Sequence, residues 1–377
     1  MSKASDLRAL VALHGTPLLL VDLDVVRRQY RALQAALPGV QLFYALKPLP
    51  NLAVVAELRD LGASFDLATT GEIKLVKAAG IKPARCIHTH PIKSDADIRA
   101  ALRFGIRTFV ADNPDEVRKF ARYGDRVELM LRLSFRDPTA VVDLSRKVGC
   151  EPAAVLHLLE LARSLGVRVR GLSFHVGSQV ADPAKYVEAI GACHELMDQA
   201  RAQGLGRLEL LDIGGGFPIG YRREPIPIAQ FCKPIRQALR RLPRGTRVIA
   251  EPGRFIAGPA GTAVSSVVGR AQREGRWWYY LDDGVYGSYS GQLYDHATYP
   301  IEVLDRDGPH HPSVLAGPTC DSIDVVREDV PLPELQIGDI LVGRLMGAYT
   351  CATATDFNFI PRAKIVPLHA TAKVKKK

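Results

Sequence analysis

The chain has 377 residues, 47% of them hydrophobic and 24% charged, with 50 Lys and Arg against 40 Asp and Glu for a net charge of +10. That is the balance of a globular protein with one large domain or two medium ones, able to bury a full core. No run of about 18 or more uncharged apolar residues marks a membrane span, and the N-terminus MSKASDLRAL lacks the apolar centre of a secretory signal, so a cytoplasmic protein is expected.

The six cysteines, Cys86, Cys150, Cys193, Cys232, Cys320 and Cys351, show neither the paired spacing of a zinc site nor the density of a disulfide framework. Reduced thiols and no metal are expected. Part of the positive charge sits in a tail containing Lys373, Lys375, Lys376 and Lys377, and the remaining basic residues mingle with acids. No aromatic-interleaved basic motif points to nucleic acid.

In chain order, TPLLLVDLD at 16–24 reads as a strand that precedes the main body and is available to a second domain. From residue 40 to 256, eight short β-type runs follow: LFYALK, ASFDLA, RCIHTH, RTFVAD, VELMLRL, GLSFHVG, LELLDIGGG and RVIAEPGRF. Helical patterns separate them. In 51–62 Asn51 suits a cap and Gly62 a stop; in 152–166 Pro152 suits a first turn and Val155, Leu158, Leu159 and Ala162 line one face. Repeated strand and helix units imply parallel strands, and eight of them match a closed (β/α)8 barrel. A doubly wound open sheet is the competing reading.

What favours the barrel is the placement of polar and glycine residues at the C-terminal ends of nearly every run. They are Lys47, Asp66, His88 with His90, Asp112, Arg132, His175, Asp212 with its glycines, and Glu251 with Arg254. A barrel gathers those ends at one mouth, where active sites sit. After residue 260 helical spacing stops, and TAVSSVVGR, RWWYYLDD, SVLAGP and DILVGRLMGAY alternate with turn formers, as in an antiparallel β-domain. The expected organisation is a barrel over 25–258 and a discontinuous β-sandwich or β-barrel domain from 1–24 and 259–377.

Lys47 ends the first barrel run, in FYALK. Burial at the floor of a mouth disfavours the charged amine, and a neutral lysine there forms an imine with an aldehyde such as pyridoxal phosphate. Alone, a lysine after a strand is more commonly a snorkelling or salt-bridged side chain. Such a cofactor needs three more features: a phosphate cradle, a partner for its ring nitrogen and a surface for its ring. Gly214, Gly215 and Gly216 follow the seventh run, Glu251 ends the eighth and His175 ends the sixth. Each has a bland reading, respectively a turn, an ion pair with Arg254 and a core histidine. Their joint position at strand ends outweighs those readings.

FYALK, SFDLATTGEI, SFHVGSQ, LLDIGGGFP, AEPGRF, DDGVYGS, LYDH, GPTCDSID and MGAYT together resemble the alanine-racemase-fold (fold type III) pyridoxal phosphate enzymes, most closely the ornithine and lysine decarboxylases, in order from about residue 16 to 359. The resemblance implies that Lys47 holds pyridoxal 5'-phosphate and that His175 lies on its ring. Ser178, Gly214, Gly215, Gly216 and Arg254 would surround the phosphate, with Tyr349 closing it, and Gly253 would also contribute to cofactor binding. Glu251 would face the ring nitrogen, and Asp66, Glu72, Arg132 and Lys147 would form a polar network beneath. Cys320 would protonate the α-carbon after carbon dioxide leaves, and Cys320 and Asp321 would reach the site of a second subunit, making an obligate homodimer.

Tyr294 and Asp295 of LYDH, with Asp321, would bind the distal end of a basic amino-acid substrate. A charge-assisted hydrogen bond of roughly 1.5–3 kcal/mol separates a diamino acid from a neutral one, whereas a single methylene, worth about 1–3 kcal/mol, does not firmly separate ornithine from lysine. GSYSGQLYDHATYP and the aspartate after Cys320 are more similar to ornithine decarboxylases than to diaminopimelate decarboxylases. Decarboxylation of diaminopimelate or another diamino acid is the alternative function, and racemization and a non-catalytic regulatory homologue are further rivals. Two departures from the family pattern bear on the substrate: PLPN after Lys47, and FNFI, with Phe359 where glycine is common.

Overall fold

The computed structural model describes residues 4–135 and 147–369, so the basic tail lies outside it. The described residues pack as two compact units, one of residues 27–135, 147–219 and 225–255, the other of residues 4–26, 220–224 and 256–369. Strand β1 (Leu18–Asp22) belongs to the second unit. The first unit holds β2 (Val40–Ala45), β3 (Ser64–Leu67), β4 (Cys86–His88), β5 (Thr108–Ala111), β6 (Glu128–Leu133), β7 (Val169–Phe174), β8 (Leu210–Asp212) and β9 (Arg247–Ala250).

Strands β2 to β9 form a closed barrel. Every neighbouring pair is parallel, and the ring closes where β9 pairs with β2, with Val40 opposite Val248 and Leu42 opposite Ala250. That last pairing excludes the open sheet. Phe43, Ile87, Val110, Met130, Leu210 and Ile249 form one buried cluster contributed by six strands. Strand alternation sends their neighbours outward under the helices.

The helices begin and end where side-chain chemistry directs. Asn51 caps the helix Leu52–Asp60 by accepting from the N–H of Ala53 at 2.9 Å and of Val54 at 3.4 Å, and Val54, Val55 and Leu58 are buried. In the helix Val155–Ser164 the buried residues are Val155, Leu158, Leu159 and Ala162, the spacing of a single face.

The second unit adds β10 (Gly261–Arg273), β11 (Arg276–Leu281), β12 (Ile301–Val303), β13 (His311–Ala316), β14 (Val325–Leu332), β15 (Ile340–Arg344) and β16 (Lys364–Leu368). With β1 they make one curled eight-stranded sheet in the order β12-β15-β10-β11-β13-β14, to which β1 attaches through β10 and carries β16. Most pairs are antiparallel; β1 with β16 and β11 with β13 are parallel. Leu7, Leu18, Leu20, Val264 and Val342 form its buried cluster.

Three strands that lack a clear signal in the sequence, β12, β14 and β16, each pair with a single neighbour. They are edge strands, and β14 carries Arg327, Glu328 and Asp329 while β16 carries Pro367, the residue types that edges tolerate. No helix among the described residues is long and apolar enough to cross a membrane.

One polar side chain in the barrel wall has a measurable consequence. Ile87 joins the interior cluster, so the next residue, His88, turns outward, where it is 0% exposed and lies 5.8 Å from the Phe109 ring. Neither ring nitrogen finds a hydrogen-bond partner among the described residues, and burial, helped by the nearby Lys93 charge, pushes the imidazole down to about 4.

The unfolded chain therefore binds this proton first. The stabilising contribution is complete above the unfolded value of about 6.5, shrinks as pH falls, and amounts to a loss of about 2 kcal/mol at pH 5. Urea midpoints at pH 7.5 and 5 should show His88→Phe losing about that much less than the parent chain; equal losses would place the acid sensitivity elsewhere.

Candidate active site

The C-terminal ends of the barrel strands carry the chemistry. β2 stops at Ala45, Leu46 is buried, and Lys47 follows with its side chain exposed. The residue therefore stands past the end of the barrel wall. Its position is central nonetheless. The Lys47 charge favours the ionised forms of Asp66, Glu251 and Glu72 and disfavours the charged forms of His175 and His90.

Around it the acids are held back from ionising. Burial, reinforced by Glu251, pushes Asp66 up to about 7 although the Thr89 hydroxyl donates to it and Arg132 and Lys47 favour its charge. Burial and the negative charge of Asp212 raise Glu251 well above the usual carboxylate range. Asp212, also raised by burial, to about 7, accepts a hydrogen bond from Gly214 N–H at 2.9 Å and is coupled to the Glu251 carboxyl, which favours its charge. Glu72 is raised by burial as well, and its carboxylate accepts from Ala68 N–H at 2.5 Å. Lys147 is exposed, and its charge is felt at His90.

His175 is half-buried. Its Nδ1 accepts from Gly177 N–H at 3.1 Å, which fixes a neutral ring with the proton on Nε2, and burial together with Arg132 and Lys47 holds the imidazole well below its ordinary value. A neutral flat ring without charge to neutralise suits stacking on another aromatic plane.

Beside it the glycine run makes a cradle whose carbonyls all face protein. Glu251 N–H donates to Gly214 O at 2.8 Å, the Tyr186 hydroxyl to Gly215 O at 2.6 Å and Val180 N–H to Gly216 O at 3.0 Å. The N–H groups of Gly215 and Gly216 have no protein acceptor among the described residues, as an anion cradle requires. Side chains are excluded here: a Cβ would lie 2.3 Å from Phe174 O at Gly214, 2.6 Å from Glu251 O at Gly215 and 2.3 Å from Gly177 O at Gly216. Arg254, 7% exposed, donates to the Ser178 hydroxyl at 3.2 Å. Gly253 serves a different end, since a Cβ there would meet Pro48 Cγ at 2.6 Å, so the turn after β9 packs directly against the residue following Lys47.

The strand ends thus bring together Lys47, Asp66, Glu72, Arg132, His175, Gly214, Gly215, Gly216 and Glu251, with Ser178 and Arg254 as a bonded pair. An amine, a neutral ring, amide donors with a guanidinium and a proton-bearing carboxyl fit the aldehyde, ring, phosphate and pyridine nitrogen of pyridoxal phosphate.

The second unit presents another group. Cys320, exposed between β13 and β14, has its Sγ and its N–H each 3.4 Å from Asn358 Oδ1. Asp321 accepts from the Tyr286 hydroxyl at 2.5 Å, which holds its carboxylate below the usual range, and Tyr286 stacks on Phe357 at 4.6 Å. Tyr294 is 58% exposed and Asp295 half-buried on the short helix Gly291–Asp295. Tyr349 lies beyond β15 with φ +54°. Phe359 is 94% exposed at φ +57°, a conformation costly for a bulky residue and natural to glycine.

Residues 23–258 match the family model for the pyridoxal-binding domain of pyridoxal-dependent decarboxylases. The chain belongs to that family. A lysine/ornithine decarboxylase from Vibrio vulnificus, complexed with cadaverine, is 54% identical with a TM-score of 0.94, the match covering 98% of this chain and 100% of that one. The lysine/ornithine decarboxylase of Selenomonas ruminantium is 38% identical over 344 residues, 91% of this chain and 87% of the relative. An arginine decarboxylase from Paramecium bursaria Chlorella virus, bound to agmatine, is 30% identical with a TM-score of 0.91, covering 97% and 100% of the two chains. The decarboxylase fold is therefore type III, and its cofactor is pyridoxal 5'-phosphate.

Two contributors escape sequence reasoning. Asp212 reads only as a strand end, although a carboxylate two residues before a glycine run is a usable signal. Lys93, 3% exposed, donates to the carbonyls of His90, Pro91 and Val110 at 2.9, 2.8 and 2.5 Å and so anchors the loop carrying His90; its partner Glu116, 3.4 Å away, is remote in sequence.

Gly214 has φ +66°, so Gly214→Ala brings both the backbone collision and about 1–3 kcal/mol of conformational strain. Titration of the apoprotein with pyridoxal phosphate should show at least tenfold weaker binding. Gly191→Ala, in open space on the helix Ala184–Ala202, should leave affinity unchanged and raise the melting temperature slightly.

Proposed function

We propose that this decarboxylase converts L-ornithine and L-lysine to putrescine and cadaverine, in a homodimer whose two sites are shared between subunits. The family membership supports the reaction, pyridoxal phosphate-dependent decarboxylation of a basic amino acid to a diamine. The observation that carries the reading is the convergence of Lys47, His175, the glycine cradle and Glu251 at one end of one barrel. The Vibrio vulnificus lysine/ornithine decarboxylase occurs in complexes with cadaverine and with putrescine, diamines one methylene apart, which supports activity on both substrates.

In this proposal the cofactor, when bound, supplies an electron sink for the pair released as carbon dioxide leaves. Lys47 holds it through its aldehyde and afterwards serves as a local amine. The amides of Gly215 and Gly216, with Ser178 and Arg254, bind its phosphate, and Tyr349 adds a hydroxyl. Gly253 keeps the turn bearing Arg254 close to Pro48. His175 covers the ring without adding charge. Glu251 keeps a proton at the ring nitrogen, while Asp66, Glu72, Arg132 and Lys147 balance charge below.

The residues of the second unit act on the substrate. Asp321 stays ionised because Tyr286 bonds it, and with Asp295 it receives the distal ammonium; Tyr294 borders that end. Cys320 is exposed, with its thiol beside Asn358, and donates the proton that replaces the lost carboxylate. We place this group in the site of a second copy of the chain. Location in the cytoplasm is part of the same proposal.

Borohydride treatment of the loaded protein should add a pyridoxyl mass to the peptide containing Lys47, and Lys47→Ala should abolish both that mass and turnover. Mass analysis should find putrescine from ornithine and cadaverine from lysine, with arginine and meso-diaminopimelate left intact. Release of carbon dioxide separates this from racemization. Cys320→Ala should slow amine release or divert product to an aldehyde by transamination.

Mixing Lys47→Ala with Cys320→Ala chains should restore about a quarter of the parent activity if random pairing gives half mixed dimers with one intact site each. No recovery from chains shown to exchange subunits would reject shared sites.

A further inference from the structure

Asp212 belongs to no role assigned so far, yet it sits at the centre of the barrel mouth. It is 1% exposed, Glu251 is 9% exposed, and both end strands that pair directly: Asp212 lies opposite Ile249, Ile213 N–H donates to Ile249 O at 3.0 Å, and Glu251 N–H donates to Gly214 O at 2.8 Å. The backbone therefore fixes the two carboxyls side by side. One Asp212 oxygen accepts from Gly214 N–H, while Oδ2 is buried and finds no N–H or hydroxyl donor among the described residues. The Glu251 carboxyl is the donor available to Asp212.

Two buried carboxylates in contact do not both ionise, so the pair retains a proton. We infer that Asp212 and Glu251 act as one acid that shares this proton, with Asp212 as the positioning residue that keeps it available to the ring nitrogen of the cofactor. The inference rests on the proposed orientation of Glu251 toward that nitrogen. On binding, the Glu251 O–H bond breaks and an N–H bond forms at the ring nitrogen. The pair is left with two negative charges against one pyridinium, so the total charge is unchanged.

The charged groups that bear on the pair come from several strand ends. Lys47 and Arg132 favour its ionised forms, Asp66 opposes them, and burial opposes them most strongly. His175 is neutral and lies across Gly215, where a Cβ would be 3.3 Å from its Nε2. Asp212→Asn keeps an oxygen for Gly214 N–H and the size of the side chain while removing one negative charge beside Glu251. The proton then leaves Glu251 at lower pH.

The test is binding of pyridoxal phosphate and of its 1-deaza analogue, which has carbon in place of the ring nitrogen, to apoprotein between pH 6 and 9. The parent chain should prefer the nitrogen-bearing ring, and Glu251→Gln should erase the preference. Asp212→Asn should cut that preference at least tenfold at pH 8 and move its decline down by about one pH unit, with deaza affinity within threefold of the parent.

If Glu251→Gln leaves the preference intact, the orientation of Glu251 is wrong. If Glu251→Gln erases it but Asp212→Asn changes neither its size nor its pH profile, the shared-proton inference alone fails. Equal weakening of both analogues by Asp212→Asn would make Asp212 a mere support for the glycine turn and also overturn it. Should Asp212→Asn not fold, Asp212→Glu, which restores the charge, must fold and keep the preference.

Discussion

The pairing of β9 with β2 is the constraint on which the rest of the site depends. It joins segments about two hundred residues apart, with Leu42 opposite Ala250, Ala45 N–H donating to Pro252 O at 3.2 Å and Gly253 packed on Pro48. Without that closure Lys47 and Glu251 would stand at opposite edges of an open sheet. With it, the amine and the proton-bearing carboxyl share one mouth. PLPN, a departure from the family pattern, acquires a structural use here, because Pro48 is the surface against which the turn after β9 rests.

Electrostatically the mouth is an economy of buried acids and few cations. Asp66, Asp212 and Glu251 are all raised by burial, and Lys47 and Arg132 together offset part of the effect. Buried acids that cannot all ionise form a reservoir of protons, the environment a pyridine nitrogen needs if it is to stay protonated near neutrality. The neutral His175 fits the same pattern, since a charged imidazole there would compete with the ring nitrogen for negative charge.

The second unit follows a different logic. Its sheet is a scaffold for loops: Cys320 and Asp321 lie between β13 and β14, and the segment bearing Phe357 and Asn358 lies between β15 and β16. Asn358 meets Cys320, and Phe357 stacks on the tyrosine that bonds Asp321, so both residues are held by one neighbouring segment. Phe359, exposed and in a left-handed conformation, stands next to these supports.

Much of this was legible from residues alone. The eight barrel strands, the Asn51 cap, the buried face of 155–162 and the glycine turn carry local signals, because period, capping and turn chemistry are properties of neighbouring residues. The edge strands β12, β14 and β16 were not, since edges carry the polar residues and proline that loops also use. Neither was Lys93, because two of its partners, the Val110 carbonyl and the Glu116 carboxylate, lie well apart from it along the chain. The exposure of Lys47 reverses the burial expected of it, for burial is set by what surrounds a strand tip and not by the strand.

The sequence by itself determined which chemical groups end the strands and, through nine ordered motifs, which family they belong to. Only the tertiary structure decided which of those groups touch. The coupling of Asp212 to Glu251, the packing of Gly253 on Pro48 and the support of Cys320 by Asn358 all join residues far apart in the chain. Such contacts arise from sheet closure and loop return, and a linear pattern does not encode the distance between two strand ends until the ring has shut.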